Sequence, residues 1–138
     1  MKKKIYYWSP YFSKIATEKA VINSIESINR YSNKKFEPIL INAVGEWDWL
    51  VEKKKNIELL NLTNYKIINH LPKEGFVSSR LSYLIIFFLC FIPLLKFMKK
   101  NDCYVIIHLV TSLPLLLCNL FKLKSKIILR VSGLPKLK

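Results

Sequence analysis

Two stretches of this chain end in polar residues whose types can do chemistry. The apolar, β-rich run 104–109 carries His108 and leads into Thr111 and Ser112. The run 126–131 carries Arg130 and leads into Ser132 and Gly133. Ligands of parallel α/β sheets bind at the carboxyl ends of strands, so two such ends in succession mark a candidate site. An imidazole there can contact a hydroxyl or move a proton, and it can equally be a hydrogen-bonded packing residue. An arginine buried among apolar residues needs a partner, either a carboxylate of the chain or a ligand phosphate. Ser132-Gly133 allows close backbone approach, or is a plain turn. A third candidate is the loop 9–18, where Ser13, Lys14 and Thr17 could hold an anion at a helix N-terminus. Ser13 and Thr17 could also do no more than satisfy helix-end N–H groups.

Other chemistries are excluded by pattern. The first loop has no glycine, which rules out a G-x-G-x-x-G dinucleotide fingerprint, and G-x-x-x-x-G-K-[ST] occurs nowhere. There is no G-x-S-x-G elbow and no carboxylate pair with acid–base spacing. Cys90, Cys103 and Cys118 are odd in number and lie in apolar surroundings, and with two histidines no metal-ligand spacing appears. The cysteines read as reduced, buried small hydrophobes, and no metal or cofactor is expected. His70 falls in an irregular segment and is expected to be exposed.

The elements that must position these residues alternate. Residues 3–8 form a first strand, followed by a loop and a helix from about 15 to 31 with Ala16, Ala20, Val21, Ile25 and Ile28 at helical spacing. Asn33 and Lys34 end it. Residues 36–42 form a second strand, with Pro38 at an edge or strand start. A turn at 43–48 follows, with Gly45 as its flexible point, then a short apolar patch of Trp47, Trp49 and Leu50. A weaker third strand, 57–62, precedes an irregular segment, 63–75. A long apolar helix from 76 to about 100 is expected, kinked or divided at Pro93. Strand, helix and strand then cover 104–109, 113–123 and 126–131. Short strands alternating with helices give an α/β fold with a Rossmann-like parallel sheet. At 138 residues the chain is at most one domain.

The net charge is +14, nearly all from lysine, and Arg30, Arg80 and Arg130 are the only arginines. Arginine is favoured for bidentate contacts to bases and phosphates, so this balance speaks against a nucleic-acid reader. Lysines beside apolar runs suit an anionic bilayer surface, or are no more than a solvated face. Mean hydropathy is +0.19. The run 81–95 has no charge but is 15 residues long, short of the roughly 20 needed to span a bilayer. A second uncharged run, 103–121, makes a two-span hairpin the alternative, although its polar and β-branched residues suit a buried strand better. A helix lying in the membrane interface is the favoured reading, with Tyr83, Phe87, Phe88, Phe91, Lys96, Lys99 and Lys100 as its contacts. The remaining reading is a plain core helix. Met1-Lys2-Lys3-Lys4 starts like a signal peptide, but the following apolar run is too short and Ser9-Pro10 interrupts it.

The series KKIYYWSP, IATEKAVINSI, FEPILIN, apolar helix, YVIIHLVTSLP, helix, IILRVSG resembles the N-terminal half of family 4 glycosyltransferases, enzymes of the GT-B fold. Ala16-Thr17-Glu18-Lys19-Ala20 is similar to the Thr-Glu-Arg-Ala that follows the first loop in many members, although the glycines of that loop are missing. His108 matches a strand that ends in His, and Arg130-Val131-Ser132-Gly133-Leu134-Pro135 resembles bacterial members that make O-antigen or capsule sugars. The resemblance implies that 1–138 is an acceptor-side domain, and that the nucleotide-sugar donor is held by a C-terminal domain or partner chain carrying Glu-x7-Glu. It implies sugar transfer to a lipid-linked or saccharide acceptor in cell-surface polysaccharide synthesis, with no activity for this chain alone. His108 would be catalytic, and Ser13, Lys14, Thr111, Ser112, Arg130, Ser132 and Gly133 would bind the acceptor. The location implied is cytoplasmic, peripheral on the inner face of the cell membrane.

Overall fold

The computed structural model describes residues 2–11, 16–53, 56–72, 75–108 and 112–130. Nine elements follow one another: β1 (Lys3–Trp8), α1 (Ala16–Tyr31), β2 (Phe36–Asn42), α2 (Asp48–Lys53), β3 (Glu58–Asn61), α3 (Phe76–Lys100), β4 (Tyr104–His108), α4 (Leu113–Phe121) and β5 (Lys126–Arg130). The strands form one sheet in the order β3-β2-β1-β4-β5, and every pairing is parallel. The expected α/β class and Rossmann-like arrangement are what is found.

A parallel sheet is covered on both faces, and its strands are apolar on both. On one face Ile5, Tyr7, Leu40 and Ile106 meet Val21, Ile22 and Ile25 of α1, with Trp47 and Leu50 at α2. On the other, Tyr6, Trp8, Ile39, Ile41, Val105 and Ile107 meet α3 and α4. α1 ends where Asn33 and Lys34 take positive φ angles of 48° and 60°, the left-handed turn that asparagine tolerates. Pro38 lies in an interior strand, not at an edge. The β2–β3 ladder begins only at Ile39, so at Pro38 the strand has a neighbour on the β1 side alone, a position with one free side where a residue without an N–H is tolerated.

Two elements depart from the sequence reading. The apolar patch after Gly45 is the short helix α2, whose preceding Trp47 and inner Leu50 are fully buried. Pro93 does not divide α3, which runs unbroken through it. The helix is held along Ser82, Ile86, Cys90, Leu94 and Met98, spaced four apart and all buried. The uncharged run 103–121 is not a single helix, because it is shared between β4 and α4.

The line of α3 that faces the core predicts a sharp asymmetry. Leu94→Ala, at a site fully buried, should cost about 2–5 kcal/mol in urea denaturation. Ile92→Ala, two residues away and 59% exposed, should stay within about 0.5 kcal/mol of the parent.

Candidate functional site

Strand order reverses between β1 and β4. From β1 the chain winds outward through β2 and β3, and from β4 it winds the other way to β5. The crevice beyond the carboxyl ends of two such strands is the binding position of open α/β sheets. Trp8 pairs with Ile107, so the next residues along the two strands, Ser9 and His108, stand at that switch point. Both are buried, at 0% and 5% exposure. The Ser9 hydroxyl and His108 Nε2 are both buried without a hydrogen-bond partner among the described residues. Buried polar atoms are nearly always satisfied, and an exception needs an explanation. Two such atoms at a switch point mark a candidate ligand-binding end.

The surroundings hold both residues in place. Trp47 Nε1 donates to the Ser9 carbonyl at 3.2 Å. The Trp47 ring meets that of Tyr11 edge-on at 4.6 Å, and Trp49 Nε1 donates to the Tyr11 hydroxyl. The segment following β1 is therefore pinned to α2. The His108 ring stacks over Tyr7 with centroids 6.2 Å apart. The Tyr7 hydroxyl is 2.9 Å from the Ser24 hydroxyl, which ties the same ring to α1. Burial, helped by the nearby Arg130 guanidinium, pushes His108 down to about 4. The imidazole is therefore neutral at neutral pH, able to accept a proton or a hydrogen bond but not to act as a cationic acid.

Arg130 pairs with His108 in register. It is exposed, where burial was expected, and its partner is neither a carboxylate nor an ion: Nη1 donates to the Ala20 carbonyl of α1 at 3.0 Å. Ser112 precedes α4 at its N-cap, exposed, with no side-chain capping bond. Ser13, Lys14, Thr111, Ser132 and Gly133 lie outside the described residues. The structure thus brings His108 and Arg130 together and adds Ser9, which the sequence reading passed over as a strand-ending Ser-Pro. The signal for Ser9 was its register against His108, which only strand pairing reveals.

At the end of β2, buried Glu46 accepts the backbone N–H groups of Ala43 and Val44 at 2.8 Å each. Burial raises its carboxyl to about 7, against the pull of those N–H donors. Beside it Asn42 Nδ2 donates to Asp48 and Asn61 at 2.7 and 2.8 Å, and its carbonyl accepts the Trp47 N–H. This network is fully satisfied, and it sets the β2–α2 loop against which Ser9 leans. Gly45 in that loop has φ +95°, and a Cβ there would lie 3.3 Å from Lys66 Cα. Among the described residues no group of His, Cys, Asp and Glu could hold a metal ion.

Of the expected membrane contacts, Phe88 is 67% exposed and Lys96, Lys99 and Lys100 are exposed. Tyr83, Phe87 and Phe91 are partly buried and pack against the core. The outward line of α3 is instead Val77, Leu81, Leu84, Phe88 and Ile92. By length and composition α3 could cross a bilayer, yet one full line of it is core. Cys90 Sγ lies 4.0 Å from the Ala43 carbonyl, just past the end of β2. α3 runs against the strands, with Phe97 against Tyr6 and Cys90 near Ala43, so the part before Cys90 lies towards the end where Ser9 and His108 stand. No family model, curated protein or solved structure matches the chain.

The two displaced titrations oppose each other. His108, lowered, contributes stability present above its unfolded value of 6.5 and lost as pH falls towards 4. Glu46, raised, contributes stability present below 4.5 and lost as pH rises through 7. The urea midpoint of the parent should therefore change little across this window. His108→Gln should lose stability as pH rises, and Glu46→Gln should gain it, each by about 3 kcal/mol from end to end. Parallel pH curves for all three proteins would show that these groups are not the titrating ones.

Proposed function

We propose that this chain is the acceptor-side lobe of a two-lobed glycosyltransferase working at a membrane surface. The observation that carries the reading is the pair of buried polar atoms, Ser9 Oγ and His108 Nε2, that have no partner among the described residues at the topological switch point. A sugar hydroxyl can donate to a neutral imidazole and accept from a serine hydroxyl, which satisfies both at once. The likeness of His108 and of residues 130–135 to family 4 members supports the same reading. His108, neutral at physiological pH, would orient or deprotonate a hydroxyl in this role. Arg130 would hold the β5 end against α1. The nucleotide-sugar would come from a second lobe facing the crevice, on the same polypeptide or on a partner.

The outward apolar line of α3 supports a peripheral, cytoplasmic-face location. Leu81, Leu84, Phe88 and Ile92 are each more than half exposed on a helix whose last turn carries Lys99 and Lys100. An apolar stripe ended by lysines fits a helix lying at an anionic interface. A lipid-linked acceptor held in that bilayer would meet the sheet at the end where His108 stands.

The chain alone should bind a polyprenyl-pyrophosphate-linked monosaccharide without transferring sugar to it. His108→Ala in an assembly with a donor-binding lobe should lower kcat about 100-fold or more. Sugar transfer by the chain alone would refute the half-enzyme reading. Separately, Leu84→Asp with Phe88→Asp should abolish flotation with vesicles of phosphatidylcholine and phosphatidic acid while leaving the circular dichroism spectrum unchanged.

A further inference from the structure

The opposite end of the sheet carries a feature that the crevice does not use. A cavity of about 470 Å³ opens beside the starts of β1 and β4 and the end of α3. Lys2, Lys3, Lys4 and Lys100 line it, with Asp102 as the one acidic lining residue. None of the four lysines has a carboxylate within ion-pair distance among the described residues. Lys126 extends the charge, its Nζ lying 5.3 Å from the centre of the Tyr104 ring in the cavity wall. Four like charges held beside a single carboxylate repel one another, so such a cluster is a feature that a ligand anion would relieve.

We propose that this cavity binds the phosphate headgroup of an anionic phospholipid, a second lipid contact at the end of the molecule remote from Ser9 and His108. The proposal rests on the reading of α3 as an interfacial helix. Ammonium groups on flexible stems are point charges that suit a phosphate without fixing its orientation, unlike the planar fork that reads base edges. The occupant is a lipid, because the cavity is continuous with the α3 surface. The outward line Leu81, Phe88 and Ile92 extends by helical spacing to Lys99, and Lys100, the next residue, is in the cavity wall. A bilayer resting along that line brings its headgroups to the cavity mouth, where Lys2, Lys3 and Lys4 converge. The helix would then be fixed at both ends: by apolar contact along its length and by phosphate at its last turn.

The test uses the full chain with three vesicle types: phosphatidylcholine alone, and phosphatidylcholine mixed with phosphatidic acid or with phosphatidylserine. Lys4→Gln with Lys100→Gln should weaken binding to phosphatidic acid vesicles about tenfold or more. Lys19→Gln with Lys66→Gln removes the same charge at the other end of the sheet, Lys66 lying beside Gly45 beyond β2, and should change it less than about twofold. Equal losses for the two pairs would show diffuse attraction and overturn the proposal. Glycerol 3-phosphate should compete only weakly. Tight binding of it, lost in the cavity pair while vesicle binding is unchanged, would assign the cavity to a soluble phosphate and overturn the lipid assignment. RNA binding lost in the cavity pair with vesicle binding intact would do the same. Leu84→Asp with Phe88→Asp separates the two readings. If it leaves vesicle binding intact while the cavity pair does not, the interfacial helix fails and the phosphate site stands.

Discussion

An all-parallel sheet can leave neither face to water, and the rest of this molecule follows from that constraint. Each strand must be apolar on both sides, each connection must carry cover, and cover on both faces requires the winding to reverse once. The reversal between β1 and β4 sends α1 and α2 to one face and α3 and α4 to the other. It also leaves the ends of β1 and β4 side by side, with their connections leading to opposite faces. Ser9 and His108 stand at those two ends, buried, with polar atoms that find no partner among the described residues.

α3 answers the same constraint with a second commitment. Its buried line Ser82, Ile86, Cys90, Leu94 and Met98 closes one face of the sheet. Its opposite line is equally apolar and is not covered by the described residues. A helix needed only as cover would be polar there, as α1 is at Asn23, Ser27 and Arg30. The last turn of α3 carries Lys99 and Lys100, and Lys100 lines the basic cavity beside the starts of β1 and β4. β5 tells a related story at the sheet edge. Ile128 and Leu129 are nearly half exposed, on a strand whose composition suits burial on both faces.

The tuning of the titratable groups follows from burial more than from charge pairs. His108 is kept neutral by desolvation, with Arg130 reinforcing the effect. Glu46 is pushed up by desolvation although two backbone N–H groups hold its carboxylate. The two lie at neighbouring strand ends, β4 and β2, on either side of β1. The segment that carries Ser9 between them is held by Trp47 and Trp49 rather than by ions. The site is therefore built on aromatic anchors, which a change of salt does not loosen.

Strand runs such as KKIYYW, FEPILIN and YVIIH declare themselves because two-sided burial demands continuous β-branched and aromatic residues, and the sequence alone determined all five strands and the three long helices to within about two residues. It also determined that His108 and Arg130 end successive strands. α2 was hidden, because six residues give too few turns for a period to show. Pro93 allowed either a bend or a stop, and the stop is absent: the helix continues through it, with Cys90, Leu94 and Met98 buried on both sides of the proline. Which side of α3 is core could not be read from a helix apolar all round, so Phe87 and Phe91 were not distinguishable from Phe88 before packing chose. Ser9 became a candidate only through the pairing of Trp8 with Ile107, since register is a relation between strands 99 residues apart and no local pattern encodes it.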